Sequence, residues 1–263
     1  MVYKQIKVDR LIKTITKKDT LFGGKYTIDP YQNCEYGCMY CDSSIEKTIY
    51  IKSNAVEIFN KEKKQIENGI IIVGSVHDPY QKAEEKFKIT RNLLKLIYKN
   101  NFSCHILTKS NLVLRDIEIL SKIKKCFVTI SLTSINKTIT NIFEKDVPSP
   151  KIRFETIKNL SKSGITTGIA IIPILPYINE KEIEDIIKLA KDNCANYILY
   201  KYLELKGDQR KSYLNILNKQ YPELLDKYKK LYQDSYLPDD DYVLKIKKKV
   251  NKLSKNYGLK NKI

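Results

Sequence analysis

Apolar residues recur along this chain in two alternating rhythms. Five short runs are nearly unbroken: IIIVGSV (70–76), FSCHILT (102–108), CFVTISL (126–132), TTGIAIIP (166–173) and NYILYKYL (196–203). Between them, apolar positions return every three to four residues, which predicts helices near 87–98, 116–123, 136–143, 150–163 and 180–191. Leu93, Leu94, Leu96 and Ile97 offer the first of these a core face. Ahead of the series, Asn54 is suited to cap a helix that runs to Gly69, a residue suited to the C-terminal turn. YTID (26–29) supplies a first strand and brings the count to six. Strands that alternate with helices of about ten or more residues build βαβ units and a parallel sheet. Strands apolar throughout are expected where helices cover the sheet. This rhythm does not separate a doubly wound sheet from a barrel, and both place chemistry at the carboxyl ends of their strands.

Residues 201–263 differ. They hold 16 basic and 8 acidic residues, a net +8, with helical spacing in SYLNILNKQYPELLDKYKKLY and DYVLKIKKKVNKLSKNYG. The expected division is a core over 1–205, with an N-terminal lead-in, and a helical extension over 206–263 packed on it. The 263 residues suffice for a sizeable core. No stretch fits a signal peptide or an apolar span of about 18 residues, so the expected location is the cytoplasm, with no membrane partner. Thiols stay reduced there, and clustered cysteines read as metal-binding or catalytic before they read as disulfides.

The net charge of +18 invites a polyanion, nucleic acid above all. Only five of the 48 basic residues are arginine, however: Arg10, Arg91, Arg115, Arg153 and Arg210. Bidentate recognition of phosphate and guanine favours arginine, so the lysine excess also reads as solvated surface, the run KIKKK included.

CEYGCMYC (34–41) concentrates three of the six cysteines. Cys34, Cys38 and Cys41 form C-x3-C-x2-C directly after the first strand, in a loop where Gly37 permits a turn. A structural zinc site wants four protein ligands, and Cys104, Cys126, Cys194, His77 and His105 are available. Yet Cys104 and Cys126 lie in apolar strands, where cysteine acts as a small buried hydrophobe, and Cys194 reads most simply as a core residue. A [4Fe–4S] cluster held by three thiolates leaves one iron open for a ligand that is not protein.

This spacing, with the aromatic Tyr40 before the third cysteine, resembles the signature of the radical S-adenosylmethionine enzymes. The ordered blocks DPYQNCEYGCMYCD, GSVHDPYQKAEEKFKITRNLL, ILTKSNLVLRD, SLTS, FEKDVPSPKIRFETI, IIPILPYIN and LKGDQR resemble the spore photoproduct lyase-like branch of that superfamily. The resemblance implies a partial (β/α)6 barrel with C-terminal helices. It implies a [4Fe–4S] cluster on Cys34, Cys38 and Cys41, with S-adenosylmethionine chelating the open iron. An electron from the cluster then cleaves the sulfonium, and a 5′-deoxyadenosyl radical abstracts a hydrogen atom from substrate. An electron donor such as flavodoxin or ferredoxin is implied too, and a nucleic acid is a candidate substrate.

Further residues follow from the same resemblance. Lys109, leaving the strand in ILTKS, is expected on the cofactor's carboxylate, although a strand-end lysine also simply meets solvent. Ser131 and Thr133 in SLTS are expected near ribose or carboxylate, or bonded to backbone. Gly74 and Ser75 stand where the superfamily's turn after the second strand offers carbonyls to the ammonium group; only Gly74 matches clearly. Glu144 is suited to ribose hydroxyls, to substrate or to a salt bridge, while His77 and Asp78 face the expected substrate end. Two departures bear on the substrate. VGSVHDP lacks the cysteine that the lyases use near the second strand's end to return a hydrogen atom, and Asp42 stands where they tend to have a tyrosine. The runner-up reading is a zinc-binding module that grips nucleic acid through its basic face.

Overall fold

The computed structural model describes residues 1–44 and 46–263. Among the described residues ten strands form: β1 (Val2–Ile6), β2 (Lys13–Thr14), β3 (Tyr26–Ile28), β4 (Tyr31–Gln32), β5 (Thr48–Lys52), β6 (Ile70–Val73), β7 (Ser103–Thr108), β8 (Cys126–Ser131), β9 (Thr166–Ile174) and β10 (Tyr197–Tyr202). Seven of them make one sheet in the order β10-β9-β8-β7-β6-β3-β2. The six strands expected from the apolar runs are its parallel members, and β2 adds an antiparallel edge to β3. Its two end strands, β10 and β2, do not pair with each other, so the barrel stays open. The α-helices are α1 (Ala55–Glu62), α2 (Ala83–Phe87), α3 (Ile89–Lys99), α4 (Ile117–Leu120), α5 (Lys137–Phe143), α6 (Pro150–Lys162), α7 (Ile183–Asp192), α8 (Gly207–Gln220), α9 (Leu225–Tyr232) and α10 (Asp240–Asn256).

Alternation across the sheet separates two cores. Side chains such as Ile71, Cys104, Ile106, Val128 and Ile130 join the large cluster beneath the helices. The opposite face carries Leu107, Phe127, Ala170, Ile172, Tyr197 and Leu199, against which partly buried Leu21, Phe22 and Ile263 pack. Within this inner layer, His105 Nδ1 lies 3.1 Å from the Phe22 carbonyl and Nε2 lies 2.6 Å from Thr129 Oγ1. Thr129 meets the Tyr197 hydroxyl at 2.7 Å. Gly168 makes the layer fit, because a Cβ there would lie 2.1 Å from the Tyr197 ring. Burial pushes the His105 pKa down to about 4, so the imidazole is neutral.

Helices α8 to α10 share the large core through Tyr213, Leu217, Tyr228, Ile246 and Val250. Hydroxyl bonds tie this region to the barrel's loops: Tyr228 donates to Pro176 O at 2.8 Å and Tyr232 to Leu203 O at 2.9 Å.

The chain departs from expectation at four places. Helix α1 stops at Glu62 and a 3-10 turn over Lys63–Gln65 follows, so it does not reach Gly69. Asn54 is its first flanking residue, but the side chain bonds Val8 N at 3.0 Å and Val8 O at 2.9 Å rather than capping; a distant backbone outcompetes the local one. The segment 116–123 is a 3-10 turn, Asn111–Asp116, followed by the single turn α4. Cys194 is exposed, not a core residue, because it occupies the left-handed turn (φ 66°) between α7 and β10. The lead-in also forms an unforeseen second sheet, β1-β5-β4.

Candidate active site

At the carboxyl ends of the parallel strands lies a cavity of about 370 Å³. Cys34, Cys38, Tyr40 and Cys41 form one wall. Gly74 to Asp78 after β6, Lys109 after β7 and Ser131 on β8 form the next, and Lys201 to Glu204 with Lys206 and Gln209 complete it. Of the sequence-predicted site residues, Cys34, Cys38, Cys41, Tyr40, Gly74, Ser75, His77, Asp78, Lys109 and Ser131 therefore meet in one space. Thr133 and Glu144 lie outside its lining, buried, with Thr133 Oγ1 bonded to Glu144 Oε1 and Glu144 Oε2 paired with Arg153.

The cysteine loop is held by its own backbone and by neighbours. Cys34 N donates to Ser43 O at 2.9 Å, Cys41 N to Cys38 O at 3.0 Å and Met39 N to Phe143 O at 3.0 Å. Gly37 takes φ 57°, the left-handed conformation that lets the loop turn between its first two cysteines. Burial pushes the Cys34 thiol up to about 12 and the Cys38 thiol above that, so both are neutral until a metal or strong base takes the proton.

The turn after β6 is built around Asp29. This carboxylate accepts Val76 N at 3.0 Å, His77 N at 3.3 Å and the Ser75 hydroxyl at 3.0 Å. Gly74 has φ 84°, and a Cβ there would lie 2.2 Å from Pro79 Cδ and 2.9 Å from Leu107 O. No other residue fits that position without moving backbone. Burial lowers the His77 pKa more than Asp29 raises it, and its Nδ1 is buried without a partner.

Lys109 is aimed by its neighbours. Asp78 accepts Lys109 N at 2.7 Å and the Thr108 hydroxyl at 2.6 Å, which fixes the backbone where the lysine leaves the strand. Burial raises the Asp78 pKa against the pull of these bonds. Lys109 Nζ donates to Ser131 Oγ at 3.1 Å and lies 5.9 Å from the centre of the Tyr40 ring. Burial would push the Lys109 pKa down, yet Cys38, Glu144 and Asp78 together hold it above its ordinary value; the site keeps a cation.

Below the ring runs a buried polar chain. The Tyr40 hydroxyl donates to Glu144 Oε1 and lies 3.0 Å from Thr133 Oγ1, which itself meets Glu144 Oε1 at 3.0 Å. Arg153 Nη2 stands 2.8 Å from Glu144 Oε2, and Nη1 donates to Ser131 O at 3.0 Å. Burial opposes ionisation of Glu144, but Arg153 and Lys109 outweigh it and hold the carboxyl below its usual range.

Sequence reasoning missed Arg153, Asp29 and Gln209. Arg153 is one of only five arginines, which was a usable signal in a lysine-rich chain. Gln209 Oε1 accepts Lys206 N at 3.1 Å and its Nε2 donates to Tyr40 O, so α8 abuts the cysteine loop. Nothing in the sequence marked that contact.

Thiols are soft ligands suited to iron–sulfur clusters, and three of them share this wall beside a cationic Lys109. Among the described residues, no three His, Cys, Asp or Glu side chains are gathered as a ready-made site for a metal ion. The donor set fits a cluster that fills space between the thiols, with an anionic co-ligand drawn toward Lys109.

The fold and the thiol wall together define a class. A sequence profile of the Radical SAM superfamily matches residues 28–190, more than half of the chain, and the chain belongs to that superfamily. It is an enzyme of the radical SAM type, a family that uses a [4Fe–4S] cluster and S-adenosylmethionine. Among particular proteins, it is 32% identical over 212 residues to uncharacterized protein MJ0683 of Methanocaldococcus jannaschii, covering 76% of this chain and 78% of that one. Spore photoproduct lyase complexed with dinucleoside spore photoproduct superposes with a TM-score of 0.75 at 16% identity, over 98% of this chain and 81% of that one. A variant of the same lyase with bound AdoMet and dinucleoside spore photoproduct gives 0.70 at 16% identity, over 93% and 78%. At that identity the likeness carries the fold. Among the described residues, no helix is long and apolar enough to cross a membrane.

Proposed function

We propose that Cys34, Cys38 and Cys41 hold a [4Fe–4S] cluster and that S-adenosylmethionine occupies the adjoining cavity. When bound, the cluster supplies the electron that cleaves the sulfonium and so yields a 5′-deoxyadenosyl radical for hydrogen abstraction. The observation that supports this is the convergence of three thiols, the Gly74 turn and the Lys109 cation on one cavity at the strands' carboxyl ends. Lys109, oriented by Asp78 and Ser131, supplies a point charge for the cofactor carboxylate. The Gly74 turn presents backbone to the ammonium group, and Ser131 lies within reach of the same ligand. The Tyr40 ring forms part of the wall while its hydroxyl is tied down to Glu144. Thr133 and Glu144 act through Tyr40, holding it in place. Residues 206–263 serve as the cavity's outer wall through Lys206 and Gln209.

The substrate is distinct from spore photoproduct, with a nucleic acid as the candidate class, and a small reductase such as flavodoxin or ferredoxin supplies the electron. Among the described residues, the cavity lining holds no cysteine beyond the three proposed ligands, which supports a different source for the returning hydrogen. Two experiments test the reading. After anaerobic reconstitution the protein should hold about four irons and four sulfides per chain. Stoichiometric zinc without iron–sulfur absorption would support the zinc module instead. Affinity for DNA should fall with log salt at a slope near −0.9 per phosphate contacted, and a flat response would remove nucleic acid as substrate.

A further inference from the structure

One side chain brackets the first cysteine. Gln81 follows the turn at Asp78 and is fully buried. Its Oε1 accepts Glu35 N at 3.0 Å, and its Nε2 donates to Asn33 O at 3.1 Å. Those two groups flank Cys34 on either side. A residue in a parallel ladder bonds its partner strand in the same way, taking the C=O of residue i−1 and the N–H of residue i+1. The Gln81 amide thus acts as a one-residue strand laid against Cys34.

The bracket lies where the loop most needs one. Asn33 has φ 66°, a left-handed bend that breaks regular pairing just before the cysteine. Cys34 N is bonded to Ser43 O at 2.9 Å, and Gln81 supplies the partners for the groups on either side, of which the Glu35 N–H bond is buried. Glu35 adds a second tether to the same segment: its Oε2 accepts Ala83 N at 2.7 Å and its Oε1 accepts the Tyr3 hydroxyl at 2.6 Å. Gln81 itself does not line the cavity.

We infer that Gln81 is the positioning residue of Cys34: it sets the backbone plane from which the thiol projects into the cavity, and it keeps that thiol in place when a cluster is bound. The inference rests on the proposed cluster site for its second half only. Glutamate cannot replace it fully, because a carboxylate has no hydrogen to give Asn33 O and would stand beside the Glu35 carboxylate. Methionine fills the same volume and makes neither bond.

The test compares wild type with Gln81→Met and Gln81→Glu. In the metal-free protein, alkylation by iodoacetamide is followed residue by residue by mass spectrometry, with Cys104 as an internal reference for global loosening. Freeing a hydrogen-bonded segment should raise the Cys34 rate roughly tenfold in Gln81→Met while Cys104 stays unchanged. Gln81→Glu, which keeps the acceptor for Glu35 N, should fall between. After reconstitution, loss of iron–sulfur absorbance under chelator should also be about tenfold faster in Gln81→Met. Equal rises at Cys34 and Cys104, no rise at Cys34, or an unchanged cluster lifetime would overturn the inference. If Gln81→Met does not fold, Gln81→Glu is judged by the same outcomes. A wild type that takes up no iron and sulfide overturns the functional reading instead, and alkylation alone then decides the role of Gln81.

Discussion

Replacing Arg153 by Met should destabilise the protein by about 3–5 kcal/mol, because it strands a buried carboxylate. The Arg153 and Glu144 side chains are 2% and 1% exposed and stand 2.8 Å apart, so neither has water to fall back on. With the guanidinium gone, Glu144 keeps the hydroxyls of Tyr40 and Thr133 and the more distant Lys109 cation, and Ser131 O loses its donor. In a domain of this size each kcal/mol shifts the melting temperature by about 2–4 °C, which gives a drop of roughly 6–20 °C. Denaturant titration with linear extrapolation checks the free energy directly. Adding Glu144→Gln removes the stranded charge, so the double variant should be more stable than Arg153→Met alone. The pair also predicts a pH profile. The Glu144 pKa is held below the unfolded value, so its contribution is present above the ordinary carboxylate range and is lost as pH falls through the folded pKa. A loss under about 1 kcal/mol, or a double variant weaker than the single, would refute the argument that the pair's worth lies in mutual compensation.

Lys109→Ala should weaken S-adenosylmethionine binding tenfold to a hundredfold, the equivalent of about 1.5–3 kcal/mol for a charge-assisted contact, at unchanged iron content; calorimetric titration reads it, and an unaltered Kd places Lys109 outside the cofactor site. His105, with a folded pKa of about 4 against about 6.5 unfolded, should make stability fall by about 3 kcal/mol as pH drops through that window, with no effect above it. In His105→Gln that slope should vanish, and identical urea midpoints against pH for both proteins would contradict the assignment. Gly168→Ala should cost about 1–3 kcal/mol through overpacking against Tyr197, and adding Tyr197→Leu should recover part of it; a wild-type melting temperature in the single variant would show that the inner layer is looser than described.

The six parallel strands were legible because most of their positions are covered on both faces, so that IIIV and CFVTIS read as nearly continuous apolar runs. Strand β1 was not, since VYKQI is almost wholly exposed and exists through its pairing with β5, some forty-five residues later. Helix α1 was read too long because Lys63, Lys64 and Gln65 carry good helix propensity, which says nothing about where packing ends. At the site, cysteine spacing and a lysine leaving an apolar strand were visible as local patterns. Arg153 sits on a helix among residues that suit a solvated face, and its burial arises only when α6 lies against the end of β8. Gln81 and Gln209 act through single amides on distant backbone, and no spacing rule announces such a contact.

The burial of two thiols in the cavity has a kinetic consequence. Leu21, Phe22 and Ile263, themselves partly exposed, pack against the side of the sheet that carries the buried His105–Thr129–Tyr197 layer. Cys34 and Cys38 are buried in the cavity lining, whereas Lys201 on the same lining is exposed. A ligand seated against those thiols would be enclosed by a larger molecule that covered the Lys201 side, so it would arrive before that molecule and leave after it. Binding should then be compulsory-ordered, with a saturating second ligand slowing the exchange of the first toward zero.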